Sequence, residues 1–561
     1  MASFTIDYAV ARAGEDGPPP ARLPAAAARP FHVQNVAWHT AASAALFFLV
    51  LELFASPGLA LATAAFFAVH PVHTEAVDGI VGRAELMSAC FSFLGLLAAW
   101  RVVRDDPPGL LRPALAGVAV FLALLSKEQA IVIPAVPLLW LLPLPARDRA
   151  ALLARRSVRR LAAAFAAALV AYLLLRGAVL GSPFATGAAQ GAGLSVDNPV
   201  ATAAGAARIL TPVRVFGHAL RVLVSPRTLS ADYSYDQIPI VASLDAATAC
   251  CALALAGLLL AAYLLRRSSP AVAFGIGLFL ISWALTSNIP IVIGTIFGER
   301  LLYMPSAGIC LVAASGLIAC ERRSRVRGLA TALAVVLVAA GGARTFARNR
   351  DWLDNKSLFA SAAAASPRSC KALNGNASEW LTAGRPQDAI DWAQRSLTVY
   401  PSYAAAHQTL AKSQRAIANA ERDPARKAEL RAEAAGHARE AIAILGAGDR
   451  TALADAWNVV GGLALDAGNV DDALAGFRKS LEFDSDFVPA VTGLGAAMAE
   501  RARGETEASA KQTGSEAALR QFERALALDP GNAEAQQDAA VTMRALADSA
   551  GDDRARADLL A

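Results

Sequence analysis

The feature that most constrains this chain is its series of long apolar windows, such as "LAAAFAAALVAYLLL" (161–175) and "ACCALALAGLLLAAYLL" (249–265). A bilayer core is crossed by roughly 20 apolar residues in a helix. Only a helix or a closed barrel satisfies its own backbone groups inside lipid. Ten such segments occur, at about 36–54, 59–70, 84–102, 113–126, 129–144, 160–178, 243–265, 271–286, 303–320 and 327–343; the second and fourth are short. Hydropathy falls after about residue 344, where an Ala-rich, charged sequence begins. Composition agrees with a membrane part and a soluble part: 55% of residues are hydrophobic, only 18% are charged, and mean hydropathy is +0.41. A soluble chain carries about a quarter charged residues.

Short basic loops orient the segments, because Lys and Arg accumulate on the cytoplasmic side. "ARDRAALLARRSVRR" (146–160), "RRSS" (266–269) and "ERRSRVR" (321–327) are therefore expected in the cytoplasm. Alternation then places 70–83, 126–128, 179–242 and 287–302 outside, together with the N-terminus and the soluble C-terminal part. The stretch 203–224 holds Arg208, Arg214, His218 and Arg221 among Leu and Val. Three arginines oppose a spanning helix and suit one lying at the interface. The net charge of +5 is dispersed through these loops, so it reports topology and not nucleic-acid binding. Six cysteines form neither a disulfide framework nor a zinc pattern. Met1 is followed by the polar "ARAGEDGPPPARLP" (11–24), which lacks the apolar core of a cleavable signal peptide.

The C-terminal part repeats. In residues 454–487, Trp457, Gly461, Gly468, Ala473, Phe477 and Ser480 fall on the positions of a 34-residue tetratricopeptide repeat, TPR. The same frame fits 370–403 through Ala377, Gly384, Ala389, Ser396 and Pro401. Two further units, from Ala404 to near Gly448 and from Val488 to Pro530, need about 11 extra residues each, close to three helical turns. The expected fold class is thus all-α: a polytopic membrane helix bundle over 36–344 with an interfacial helix near 203–224, then a C-terminal TPR α-solenoid. Residues 1–35 precede the bundle outside the cytoplasm, 345–369 link it to about four repeats over 370–532, and a capping helix fills 533–561. Such a solenoid offers a groove for peptides or partner helices.

Nearly every unusual polar cluster falls on the external face, which suggests a site opening there. "HPVHTEAVDGIVGR" holds His70, His73, Glu75, Asp78 and Arg83. His-x-x-His with a carboxylate is a zinc pattern, but Pro71 interrupts the helix that would align the pair. The other readings are a loop cap, in which His and Glu satisfy helix ends, and the lining of a polar cavity. Lys127 and Glu128 form an ion pair or leave Lys127 for a lipid phosphate. Glu299 and Arg300 begin an apolar segment in "GERLLYMPS", with Tyr303 beside them; they are a helix-end pair or a phosphate fork. In "SADYSYDQIP", Asp232 and Tyr233 could contact a sugar or a peptide. No phosphate-cradling Gly loop, nucleophile elbow or dinucleotide fingerprint occurs. Chemistry here rests on carboxylates and cations at the membrane edge, which suits transfer from a lipid-phosphate donor.

In order along the chain stand "FHVQNVAWH", "HPVHTEAVDGIVGRAELMSACFSFL", "LLSKEQAIVIP", "LVSPRTLSADYSY", "SNIPIVIGTIFGERLLYMPSAG" and "RNRDWLDNKSLF", followed by TPRs. This series resembles the transmembrane-and-TPR protein O-mannosyltransferases, polytopic glycosyltransferases of the GT-C class, over essentially the whole chain. The resemblance implies transfer of a sugar, mannose in the animal members, from a polyprenyl-phosphate donor to Ser/Thr hydroxyls outside the cytoplasm. It implies a GT-C-like bundle, Glu75 and Asp78 in catalytic support, and Arg83, Lys127 and Arg300 on the donor phosphate. His70, His73, Glu128, Asp232, Tyr233, Glu299 and Tyr303 would line the cavity. The lipid-linked sugar and an exported protein held by the TPR groove are the expected partners. No metal or other cofactor is assigned. The family pattern begins with a cytoplasmic N-terminus, a first span and an external acidic loop. "MASFTIDYAV" reads like the tail of that loop, so the chain is expected to be N-terminally truncated, with the main base on the missing loop, and as written to bind donor whether or not it turns over. Asp7, Glu15 and Asp16 do not align with the acidic motif. A non-catalytic membrane scaffold whose TPR array recruits partners is the alternative. The Ala/Arg-rich composition and the lack of an ER-retention tail point to a bacterial inner membrane with the TPR part outside.

Overall fold

The computed structural model describes residues 28–106, 109–182, 196–323 and 328–549, and among them the chain is all-α, with no strand. Two units separate after Pro367. Asp7, Glu15 and Asp16 lie outside the described residues, as do 183–195, the tip of the basic loop at 324–327, and 550–561.

The first unit begins with α1 (Arg29–Phe54), α2 (Pro57–Ala68) and the five-residue α3 (Thr74–Asp78). There follow α4 (Arg83–Asp105), α5 (Leu111–Ser126), a 3-10 segment (Glu128–Leu141), α6 (Ala146–Ala154) and α7 (Arg156–Leu180). Then come α8 (Ala207–Val224), α9 (Ala246–Leu265), α10 (Pro270–Ala284), α11 (Tyr303–Arg323), α12 (Leu329–Asn349) and α13 (Asn355–Ala365). Among the described residues six helical stretches are long and apolar enough to cross a membrane, and four more are apolar but shorter, so the chain is a multi-pass membrane protein. α8 is in neither group. Its buried face is Val215, Phe216, Ala219, Val222 and Leu223. On its other side Arg214 pairs with Asp245, which caps α9, and donates to Thr248 Oγ1 at 2.8 Å. The Asp245 carboxyl is held below the usual range by that guanidinium.

α1, α2, α4, α5 and α11 share one core through Leu46, Leu49, Phe67, Phe93, Val120 and Leu311. α8 and α10 share a second through Phe216, Phe279 and Trp283. α9 buries only Thr248 and leaves Leu253, Leu259 and Leu264 exposed, the surface of a helix clad in lipid. The segment 128–141 is not an α-helix because Pro134 and Pro137 remove i→i−4 donors. At ~2.0 Å per residue, a 3-10 conformation lets 14 residues reach about 28 Å, against about 21 Å for an α-helix.

The second unit is a run of helix pairs: α14 (Cys370–Thr382) with α15 (Pro386–Val399), α16 (Ala404–Ala420) with α17 (Pro424–Leu445), α18 (Arg450–Asp466) with α19 (Val470–Phe483), and α20 (Val488–Gly504) with α21 (Ala508–Leu528). A final helix, α22 (Ala533–Ser549), packs on α21. The repeat is visible in its hydrogen bonds. Ser396 Oγ donates to the Cys370 carbonyl at 2.8 Å, and Ser480 Oγ to that of Ala454 at 2.6 Å, the same two positions of the 34-residue frame. Gly384 and Gly468, also equivalent, turn between paired helices with φ of 73° and 81°. A Cβ on Gly476 would lie 2.7 Å from the Gly461 Cα, so these two glycines let α18 and α19 approach. The α-solenoid is therefore a structural fact as well as a sequence expectation. Its longer units carry longer helices, 22 residues in α17 and 21 in α21 against 14 in α15 and α19.

Candidate functional site

The loop Val69–Gly82 cannot continue α2 as a regular helix, because Pro71 and Gly79 interrupt it. It is instead built from three short turns, two 3-10 and one α. Asn35, fully buried on α1, fastens it: Nδ2 donates to the Val77 and Gly79 carbonyls at 3.1 Å each, and Oδ1 accepts from Arg83 Nε at 2.9 Å. Arg83 Nη2 also donates to the Phe31 carbonyl at 2.9 Å. With none of its surface exposed, Arg83 clamps α1 to α4.

The two histidines cap and brace this loop. His70 Nε2–H donates to the Leu223 carbonyl at 3.0 Å while Nδ1 accepts from Val72 N–H, so both nitrogens are engaged by backbone. That is the capping role; burial pushes its pKa down to about 4. His73 Nε2 meets Ser306 Oγ at 2.8 Å, and burial holds its imidazole well below the usual range. His39 on α1 accepts from Tyr303 O–H at Nδ1, 2.7 Å, and donates from Nε2 to the Ala68 carbonyl at 3.0 Å. Phe67, His39, His73 and Tyr303 stack as one aromatic group. Tyr303 is thus buried within this aromatic group.

Two carboxylates meet the start of α11. Glu75, buried, accepts from the Arg300 backbone N–H at 2.9 Å and pairs with the Arg300 guanidinium. Arg300 keeps 41% of its side chain exposed, so a buried anion aims a half-open cation. Glu299, fully buried, accepts from Ser230 N–H at 2.7 Å and from Tyr233 O–H at 2.6 Å; its other oxygen has no hydrogen-bond partner. Burial beside Glu299 pushes the Tyr233 phenol well above its ordinary value, keeping it a donor. Asp232 accepts from Ser234 within its own turn. Lys127 pairs with Glu85 at 3.2 Å, not with Glu128, which is exposed.

Asp78 is partly buried, and burial raises its pKa to about 6 despite the nearby Arg348. Arg348 is the residue that reading the sequence overlooked. It is 1% exposed, donates to Asp351 at 2.7 Å and Ser361 at 3.0 Å, and leaves Nε and one Nη without hydrogen-bond partners. The structure therefore joins four loops distant in sequence: 70–83, 126–128, 225–234 and 298–306. Chemically the group offers a half-exposed guanidinium, a carboxyl that titrates near neutrality, and neutral hydroxyl donors.

The chain is similar to curated protein O-mannosyl-transferases. Human TMTC3 is 26% identical over 419 residues, 68% of this chain and 44% of that one. Human TMTC1 is 29% identical over 423 residues, 70% of this chain and 48% of that one. The Caenorhabditis elegans protein F38B6.6 is 28% identical over 345 residues, 61% and 46%. These relatives are the family that the motif series resembles, and the chain spans about half their length. No protein-family model matches it. Among solved structures, the TPR protein TTC0263 of Thermus thermophilus is 19% identical, covering 36% of this chain and 95% of its own, with a TM-score of 0.29.

Proposed function

We propose that the chain is an integral-membrane glycosyltransferase that moves a sugar, mannose by analogy with its relatives, from a polyprenyl-phosphate donor to Ser/Thr hydroxyls of exported proteins. The observation that carries this reading is the Glu75–Arg300 arrangement: a buried carboxylate holds both the backbone and the side chain of a cation that remains half exposed. An arginine fixed in that way is preorganised for an anion that develops charge during the reaction. In the reaction the acceptor oxygen attacks the sugar's anomeric carbon, the bond from that carbon to the phosphate oxygen breaks, and polyprenyl phosphate leaves with the bonding electrons. Arg300 stabilises the leaving phosphate, with Lys127, held by Glu85, as the second cation. The hydroxyl proton passes to a carboxylate.

Of the two carboxylates assigned to catalytic support, Asp78 is the one assigned to accept the proton, since burial raises its pKa to about 6, near working pH. Glu75, already paired to a cation, positions Arg300. The basic loop 146–160 supports a cytoplasmic location for the opposite end of the bundle. On that orientation the site and the TPR unit face the periplasm of a bacterial inner membrane, and the solenoid presents acceptor protein. The test is transfer by the purified chain in liposomes containing polyprenyl-phosphate mannose. Arg300→Ala should lower turnover about a hundredfold or more, as removal of a transition-state donor does, and Arg300→Lys should fall in between. Unchanged turnover in Arg300→Ala overturns the assignment.

A further inference from the structure

At the other end of α4 lies a feature that sugar transfer does not use. Arg83 begins α4 at the site, and Val103 lies twenty residues along the same helix, about 30 Å away. There a groove of about 360 Å³ opens between the 3-10 segment, α6 and α7. Val103, Pro137, Trp140, Leu153, Leu161 and Phe165 are among its lining residues, and Leu153 is largely exposed, so the groove is open at the side. Its lining is apolar, with the Trp140 ring among its walls.

The rim is cationic. Residues 146–160 carry six arginines against the single Asp148. Two of these arginines build the rim itself. Arg149 donates to the Leu144 and Leu142 carbonyls at 2.8 and 3.2 Å, tying α6 to the end of the 3-10 segment. Arg155 donates to the carbonyl of Val103, a groove residue, at 3.1 Å. Arg156 and Arg159, on the first turn of α7, are exposed beside the lining residues Val158 and Leu161.

We propose that this groove is a binding site for an anionic phospholipid of the leaflet on the basic-loop side. One acyl chain fills the apolar floor, and the phosphate sits against Arg156 and Arg159. Two observations carry it: an apolar slot on a membrane-embedded surface and a rim whose charge complements a phosphodiester. A basic pocket between spans on the cytoplasmic side recognises lipid headgroups on the same physical grounds. The site is separate from the donor site, because the two lie at opposite ends of α4.

The experiment is native mass spectrometry of the full chain in detergent with phosphatidylglycerol or phosphatidylcholine added. Wild type is expected to bind one phosphatidylglycerol about tenfold or more in preference to phosphatidylcholine, since each arginine near an anionic headgroup is worth on the order of fivefold. Arg156→Gln with Arg159→Gln should reduce the preference to below about twofold, while Arg156→Lys with Arg159→Lys should retain most of it. Ala162→Trp, which fills the slot from an exposed position, should weaken both lipids. Each variant is accepted only with a wild-type thermal melt, and the lysine pair serves as the charge-preserving control. Equal binding of the two lipids by wild type, a preference that survives the glutamine pair, or displacement by millimolar inorganic phosphate would each overturn the proposal; the last would reveal a free-phosphate site instead.

Discussion

At the residue scale, the account divides the labour between two carboxylates three positions apart. Asp78 is a carboxyl whose pKa of about 6 is raised by burial. As proton acceptor it must be ionised, so transfer should fall as pH drops through about 6. Asp78→Asn should remove that limb along with most of the activity, whereas Glu75→Gln should lower the rate without moving the limb; pH profiles of the reconstituted chain read both. The sign for stability is the opposite of the usual carboxylate case. A folded-state pKa above the unfolded value of 3.8 means the folded chain binds the proton more tightly. Asp78 therefore favours folding at low pH and loses that contribution as pH rises through about 6. Asn35→Ala removes three hydrogen bonds and strands buried groups on Val77, Gly79 and Arg83. It should cost about 1–3 kcal/mol for each group left unsatisfied, seen as a lowered Tm in detergent.

Charged residues in apolar surroundings were legible in the sequence, which is why Glu75, Glu299 and Arg300 drew attention. Their partners were less so. His39 and Tyr303 are 264 positions apart, and Asn35 and Val77 are 42 apart. No local spacing links such pairs. Arg348 follows an apolar helix and reads as an ordinary basic helix end until tertiary packing buries it.

At the element scale, period and composition carried most of the fold. Among the described residues helices cover most of each apolar segment, and equivalent serines and glycines mark the repeats. The 3-10 conformation of 128–141 was not read, although Pro134 and Pro137 were its signal. Replacing both by Ala should restore α-helical hydrogen bonding and shorten the segment by about 7 Å. The result should be a lower melting temperature and displacement of Trp140, read from its edge-to-face contact with Trp100 at 5.3 Å between ring centroids. In the solenoid, Phe477 fills the space that Gly461 and Gly493 leave open. Phe477→Ala should destabilise that repeat by about 3–5 kcal/mol, visible as faster amide exchange in α18 and α19 of the intact chain while α14 and α15 are unaffected.

At the scale of the whole molecule, the membrane unit gathers its buried charged side chains, Glu75, Arg83, Glu85, Glu299 and Arg348, at one end of the bundle. α9 stays almost wholly unburied within the unit, so its apolar surface belongs to the bilayer. That segregation gives the polar end the character of a site at the membrane edge, within reach of a lipid-borne phosphate. The central claim concerns the donor. The most direct test incubates the purified chain in liposomes with a Ser/Thr-containing acceptor peptide and either polyprenyl-phosphate mannose or a nucleotide-activated mannose. The mass of the peptide is then measured. The account predicts a gain of one hexose with the lipid-linked donor and none with the soluble one. Transfer from the nucleotide sugar, or an unmodified peptide with the lipid donor in the presence of folded protein, would contradict it.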